Sequence, residues 1–175
     1  MGIAKDTIIN AEDFPGIPEE GALHLSLGDE PATLRLGRQI GDLLRAGGFV
    51  GLVGPLGAGK TTMMRGIQEG RGGDPQEVSS PTYSLVQVYG ENTYHLDLYR
   101  LESVEDLESI GYWDLFADLE ALLVVEWLDR IPDAWPGRGV IVELNREGTQ
   151  REATVWGSEE TPALLEALQA LQEDP

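Results

Sequence analysis

Residues 54–61 read Gly-Pro-Leu-Gly-Ala-Gly-Lys-Thr, and this stretch constrains the chain more than any other. Two glycines bracket four residues and Lys-Thr follows the second, which is the pattern of a phosphate-binding loop. The flanks agree with it. The apolar run 49–53 suits a buried strand, and in 62–69 the residues Met63, Met64 and Ile67 fall on one helical face. A strand, a glycine-rich loop and a helix N-terminus bring backbone N–H groups and a helix dipole to bear on an anion. The candidate phosphate-binding residues are therefore Gly54, Pro55, Leu56, Gly57, Ala58, Gly59, Lys60, Thr61 and Thr62. Lys60, one of the chain's two lysines, is placed to reach the β- and γ-phosphates of a nucleotide, and the Thr61 hydroxyl to bind Mg²⁺. An ordinary helix after a glycine-rich turn is the plain alternative, and the completeness of the pattern weighs against it.

Charge narrows the partners. Thirty-one acidic against twelve basic residues leave a formal net charge of -19, so a broad basic surface for nucleic acid is not expected. The phosphate loop does not conflict with this, because it holds an anion with dipoles, one lysine and a metal ion. With no cysteine, disulfides, thiolate catalysis and Cys-based zinc sites are excluded. No apolar run is long enough for a signal peptide or a membrane span, which points to the cytoplasm.

In chain order, residues 1–22 mix acids with Pro15, Gly16, Pro18 and Gly21 and lack periodicity, which predicts a loosely attached arm before one domain over 23–175. The stretch 23–27 alternates like a half-buried strand. Asp29 is a helix cap, Leu36, Ile40, Leu43 and Leu44 line one helical face, and Gly47-Gly48 stops that helix. Strands are expected over 83–89 and 93–100, joined by a turn as a hairpin that would make the sheet mixed. A short capped helix follows Ser103. A buried strand spans 122–125, two late strands span 140–144 and 152–156, and an amphipathic helix runs from 163 to 171.

Two acids end apolar stretches. Glu126 closes the run 122–125, where an acidic partner of Mg²⁺ is expected. Asp97 shares a strand face with His95 and Tyr99; it either positions the water that attacks the γ-phosphate or is a solvent-facing strand carboxylate. His95 reads better as a hydrogen-bonded structural histidine than as a metal ligand. Trp127 either shields the phosphates or packs in the core. Ser80 and Thr82 belong to a Ser-Pro-Thr-Tyr loop that either senses the γ-phosphate or is a plain turn. The Asn/Thr-Lys-x-Asp segment of guanine-specific proteins is absent, which favours adenine by elimination.

Four segments now stand in order: 54–62, Ser-Pro-Thr-Tyr-Ser-Leu-Val at 80–86, His-Leu-Asp-Leu-Tyr-Arg-Leu at 95–101 and Val-Glu-Trp at 125–127. Together they resemble the TsaE family, the ATPases of the bacterial system that makes threonylcarbamoyladenosine in tRNA. The likeness runs from about residue 24 to residue 130, more loosely beyond. It implies ATP and Mg²⁺ as ligands, with Lys60 as the loop lysine and Thr61 and Glu126 on the metal. It also implies Asp97 as the acid needed for hydrolysis, Thr82 in the switch-like loop, and Trp127 as an accessory residue. Such proteins act with the TsaB–TsaD pair, where ATP hydrolysis is thought to reset the assembly. The chain departs from the family at Pro55, usually Asp, and at Leu128, commonly Pro; neither change touches Lys60, Thr61, Asp97 or Glu126.

The expected fold is a P-loop α/β domain in three layers, with a mostly parallel, mixed central sheet and helices on both faces. Two rivals to an ATPase remain. A small-molecule kinase would use Asp97 on a substrate hydroxyl and Arg100 or Arg130 on phosphates, although no dense arginine cluster is present. A non-hydrolysing nucleotide switch would signal by loop order alone.

Overall fold

The computed structural model describes residues 11–18 and 20–173. Its centre is a seven-stranded sheet in the order β1-β7-β6-β2-β5-β4-β3. The strands are β1 (Leu23–Ser26), β2 (Gly48–Val53), β3 (Val86–Tyr89), β4 (Thr93–Asp97), β5 (Leu122–Glu126), β6 (Val140–Glu147) and β7 (Gln150–Gly157). The helices are α1 (Glu30–Leu43), α2 (Lys60–Gly70), α3 (Val104–Ser109) and α4 (Pro162–Glu173). β2 lies parallel between β5 and β6, and β4 lies parallel to β5. β3, β7 and β1 pair antiparallel at the two edges. The parallel pairings are thus confined to the middle, where both sheet faces are covered, and this explains why β2 and β5 read as unbroken apolar runs.

The two faces are built differently. One carries α1, α2 and α4 over a core that includes Leu36, Ile40, Val50, Met63, Ile67 and Leu168. The other is covered by α3 and short 3-10 turns over Phe49, Leu98, Leu107, Tyr112, Val125 and Trp135. Helices stand on both faces as expected, though on the second face only α3 is an α-helix among the described residues. Phe14 and Ile17 belong to that second core. Phe14 meets Trp135 edge-on, and the Trp135 Nε1–H donates to the Pro15 carbonyl at 2.8 Å. A loose arm was expected over 1–22. Residues 1–10 and 19 lie outside the described residues, while 14–17 are anchored, because two isolated apolar side chains fill a gap that no local periodicity announces.

Caps and turns follow the residue chemistry. The Asp29 carboxylate accepts the Ala32 N–H at 2.8 Å and starts α1. Ser103 and Asp106 form a reciprocal capping box at α3. α1 and α2 cross very closely. A Cβ on Gly37 or Gly41 would strike the backbone of α2, and one on Gly66 or Gly70 would strike the backbone of α1. This crossing of glycines, spaced four apart on each helix, holds the helix that follows the phosphate loop. Among the described residues no helix is long and apolar enough to cross a membrane.

Two strand boundaries differ from expectation in ways that matter for the site. The strand expected over 93–100 ends at Asp97, because the Asp97 Oδ1 accepts the Tyr99 N–H at 2.8 Å and turns the chain. The strand expected from 83 begins at Val86. Residues 81–85 instead form a turn closed by the Leu85 N–H on the Pro81 carbonyl, with Leu85 at φ +64°. At the other side, β6 and β7 run past 144 and 152 to a two-residue turn at 148–149, where Gly148 supplies φ +61°. The polar residues there hide the pairing from any reading of hydrophobicity.

Candidate active site

The loop between β2 and α2 takes its shape from glycines at φ +145° (Gly54), +80° (Gly57) and +110° (Gly59), backbone that other residues rarely adopt. Gly54 is also needed for space, since a Cβ there would collide with the Leu144 carbonyl. Gly59 caps α2 with no side-chain acceptor, so the first amides of the helix are not taken up by a cap. The Pro55 carbonyl accepts the Ala58 N–H at 3.1 Å within the loop, and Leu56 stands exposed at the tip.

Lys60 is buried, with 6% of its surface exposed. Its ammonium donates to the Gly54 carbonyl at 2.7 Å and the Pro55 carbonyl at 2.9 Å, and lies 3.9 Å from the centre of the Trp127 ring. Burial lowers its pKa from the ordinary value, and Glu126, Asp129 and Asp97 oppose that shift. A cation turned back on its own loop, with three carboxylates nearby, is held by weak neutral acceptors that an anionic ligand can replace.

The acids come from neighbouring strands. Asp97 ends β4 and Glu126 ends β5, and the two are direct register partners. Each is 2% exposed. Asp97 is therefore not a solvent-facing strand residue. Its Oδ2 accepts the Thr82 hydroxyl at 2.8 Å, and the Thr82 and Ser80 hydroxyls are 2.7 Å apart. Glu126 Oε1 is 2.8 Å from His95 Nε2, and the Tyr89 hydroxyl is 3.2 Å from His95 Nδ1. His95 is thus a hydrogen-bonded buried histidine, as read from the sequence. Burial raises the Tyr89 hydroxyl's pKa, so it stays protonated as a donor.

Trp127 follows Glu126 at φ +60°, and its N–H donates to the Leu52 carbonyl at 2.9 Å. The ring lies against Tyr99, with centroids 4.9 Å apart. It forms a wall of the site facing Lys60 rather than a buried core residue.

These groups surround a cavity of about 290 Å³ lined by the loop, Thr61, Thr62, Ser80, Thr82, Asp97, Glu126 and Trp127. All the candidate segments except the inner turn of the loop thus reach one space. Sequence reasoning missed three further residues of the lining and one buried acid near Lys60. Glu30, Arg146 and Arg151 line the same cavity. Asp129 has a carboxyl whose pKa is raised chiefly by burial, and its Oδ1 has no hydrogen-bond partner among the described residues. Only Asp129, two residues after Trp127, carried a local signal.

The residues fit a nucleotide with Mg²⁺. No group of three or more His, Asp or Glu side chains is arranged to cage a metal among the described residues. Mg²⁺ does not require one, because it keeps waters and phosphate oxygens and takes one or two protein ligands. A half-buried threonine hydroxyl and a buried carboxylate across the cavity meet that need.

A mixed sheet with parallel central strands, a glycine-shaped loop on a helix N-terminus, a buried loop lysine and acids at adjacent strand ends define a fold of the P-loop NTPase class. The comparisons make the assignment finer. The family model for "Threonylcarbamoyl adenosine biosynthesis protein TsaE" matches residues 27–154, and the chain belongs to that family. It is 40% identical over 111 residues to the tRNA threonylcarbamoyladenosine biosynthesis protein TsaE of Nostoc sp., covering 61% of this chain and 68% of the relative. It is 37% identical over 125 residues to the protein of the same name from Haemophilus influenzae, covering 67% and 78%. The crystal structure of Bacillus subtilis YdiB has the same fold, with a TM-score of 0.68 at 24% identity over 87% of this chain and 97% of that one. The chain is therefore a protein of threonylcarbamoyladenosine biosynthesis.

Proposed function

We propose that this protein binds ATP with Mg²⁺ and hydrolyses it, and that hydrolysis serves repeated turnover of the threonylcarbamoyladenosine system through the TsaB–TsaD pair in the cytoplasm. One observation carries the reading: Lys60 is buried in the loop while Asp97 and Glu126, from two different strands, are held on the same cavity. The loop amides and Lys60 bind the phosphates, and Thr61 and Glu126 would hold Mg²⁺, which would supply positive charge to the phosphates. Asp97 orients the attacking water and accepts its proton as the bond from the γ-phosphorus to ADP breaks. Thr82, tied to Asp97, links the loop at 80–82 to that acid.

A kinase would need a further substrate cleft beside Asp97. Asp97 is instead 2% exposed and closed over by Thr82, which favours a small nucleophile such as water. The test measures ATP hydrolysis with and without TsaB–TsaD. Lys60→Ala should lose at least a hundredfold in rate, and full activity in that variant would sink the assignment. No wild-type turnover under either condition would leave the non-hydrolysing switch in its place.

A further inference from the structure

The β6–β7 hairpin continues beyond the end of the strand that carries the phosphate loop. Val53, the last residue of β2, is level with Glu143, and β6 continues to Glu147. Arg146 is three residues further on, about 10 Å past that level. Arg151 of β7 is its direct register partner, so both side chains leave the same sheet face, and both line the loop's cavity.

Like charges directly opposite across a strand pair are destabilising, and this chain has acids in excess to neutralise them. Yet neither arginine is in an ion pair among the described residues. Arg146 donates from Nε to the Gly148 carbonyl of its own turn at 3.1 Å, and the Arg151 guanidinium makes no hydrogen bond among the described residues. Arg71, by contrast, is fully engaged with Thr93, Asn92 and the Leu44 carbonyl.

The strand order says which part of a ligand the pair meets. Asp97 and Glu126 stand on the β5–β4 side of β2, and the arginines on the β6–β7 side. Metal and loop lysine engage the β- and γ-phosphates, so the terminal phosphate lies toward the acids. A linear triphosphate then directs its α-phosphate and nucleoside toward the hairpin. We propose that Arg151, with Arg146 beside it, forms a subsite for the α-phosphate end of the nucleotide, a guanidinium fork on a phosphate that is never transferred.

This inference rests on the ATP reading above, and nucleotide titrations separate the two. Binding of ATP and ADP is measured by calorimetry for the wild type, Lys60→Ala, Arg151→Ala, Arg146→Ala and Arg151→Lys. The expected result is an equal weakening of ATP and ADP by Arg151→Ala, about tenfold or more. A smaller equal loss is expected for Arg146→Ala, and partial recovery for Arg151→Lys. The ligand-free unfolding temperature of Arg151→Ala should not fall, which removes a folding cause. A loss confined to ATP would move the arginine to the terminal phosphate and overturn the proposal, as would unchanged affinity for both nucleotides. Wild type that binds neither would overturn the ATP reading itself. Wild type that binds and is weakened by Lys60→Ala upholds that reading whatever Arg151 does.

Discussion

The two flanks of the phosphate loop are built on opposite principles. On the β4–β5 side, Asp97 and Glu126 are buried, and each has protein donors in place before any ligand arrives: Thr82 and Tyr99 for one, His95 for the other. On the β6–β7 side, two arginines are direct register partners, and neither is in an ion pair among the described residues. Groups that must act on a reacting atom benefit from fixed positions. Groups that only hold a ligand can leave their strongest interaction to be made by the ligand itself. One flank has its polar contacts made within the protein, and the other leaves its guanidinium groups outside any ion pair among the described residues.

The largest expected effect strikes the arranged flank at its acid. Asp97→Asn keeps the shape and an acceptor for the Tyr99 N–H but removes the negative charge. Hydrolysis should fall about a hundredfold or more while ATP affinity changes little; single-turnover kinetics beside equilibrium binding would check both. Next comes the support behind Glu126. His95→Phe keeps the bulk but leaves Glu126 Oε1 and the Tyr89 hydroxyl without that partner. The Mg²⁺ concentration for half-maximal activity should rise about tenfold, and a metal titration unchanged from wild type would break the claim that this flank is preorganised.

On the hairpin flank the sign should reverse. Arg146→Ala relieves like-charge repulsion and should raise the ligand-free unfolding temperature by about 1–2 °C, read by calorimetry at low salt. Equal unfolding temperatures would mean the pair is already compensated, and the contrast between the flanks would weaken.

Asp129 sharpens the comparison from within the acid flank, since its buried Oδ1 has no hydrogen-bond partner among the described residues. Burial, its main cause of shift, raises its carboxyl above the ordinary 3.8. A raised carboxyl adds stability only in acid, and the contribution is lost as pH rises through its folded value. Asp129→Asn should therefore raise the unfolding temperature at neutral pH and make no difference below the ordinary carboxylate range.

Much of the site was legible because its parts are short-range. The loop glycines, Lys60 and Thr61 are dictated by backbone angles and spacing within eight residues, and Glu126 by the apolar run it ends. Asp97 was visible as an acid, but whether it faced solvent or the cavity depended on what covered it. The loop at 80–85 was read partly as a strand because its alternation resembled one, while the Leu85 to Pro81 hydrogen bond made a turn. Arg146 and Arg151 were not visible at all. They lie in a polar stretch where pairing leaves no hydrophobic pattern, and their position depends on the register of two strands against β2.

The sequence alone therefore determined that a glycine-rich loop with the phosphate-binding pattern stands between a buried strand and a helix, with acids at later strand ends. It also carried four ordered segments that resemble one family. Only the tertiary structure decided that Asp97 and Glu126 are register partners facing Lys60, and that Trp127 walls the site. It alone decided that glycines spaced four apart let α1 and α2 touch. It also brought the arginine pair to the loop's far side. The division has a physical cause: hydrogen bonds and dihedral preferences act within a few residues, whereas register and burial are settled only when distant segments compete for the same space.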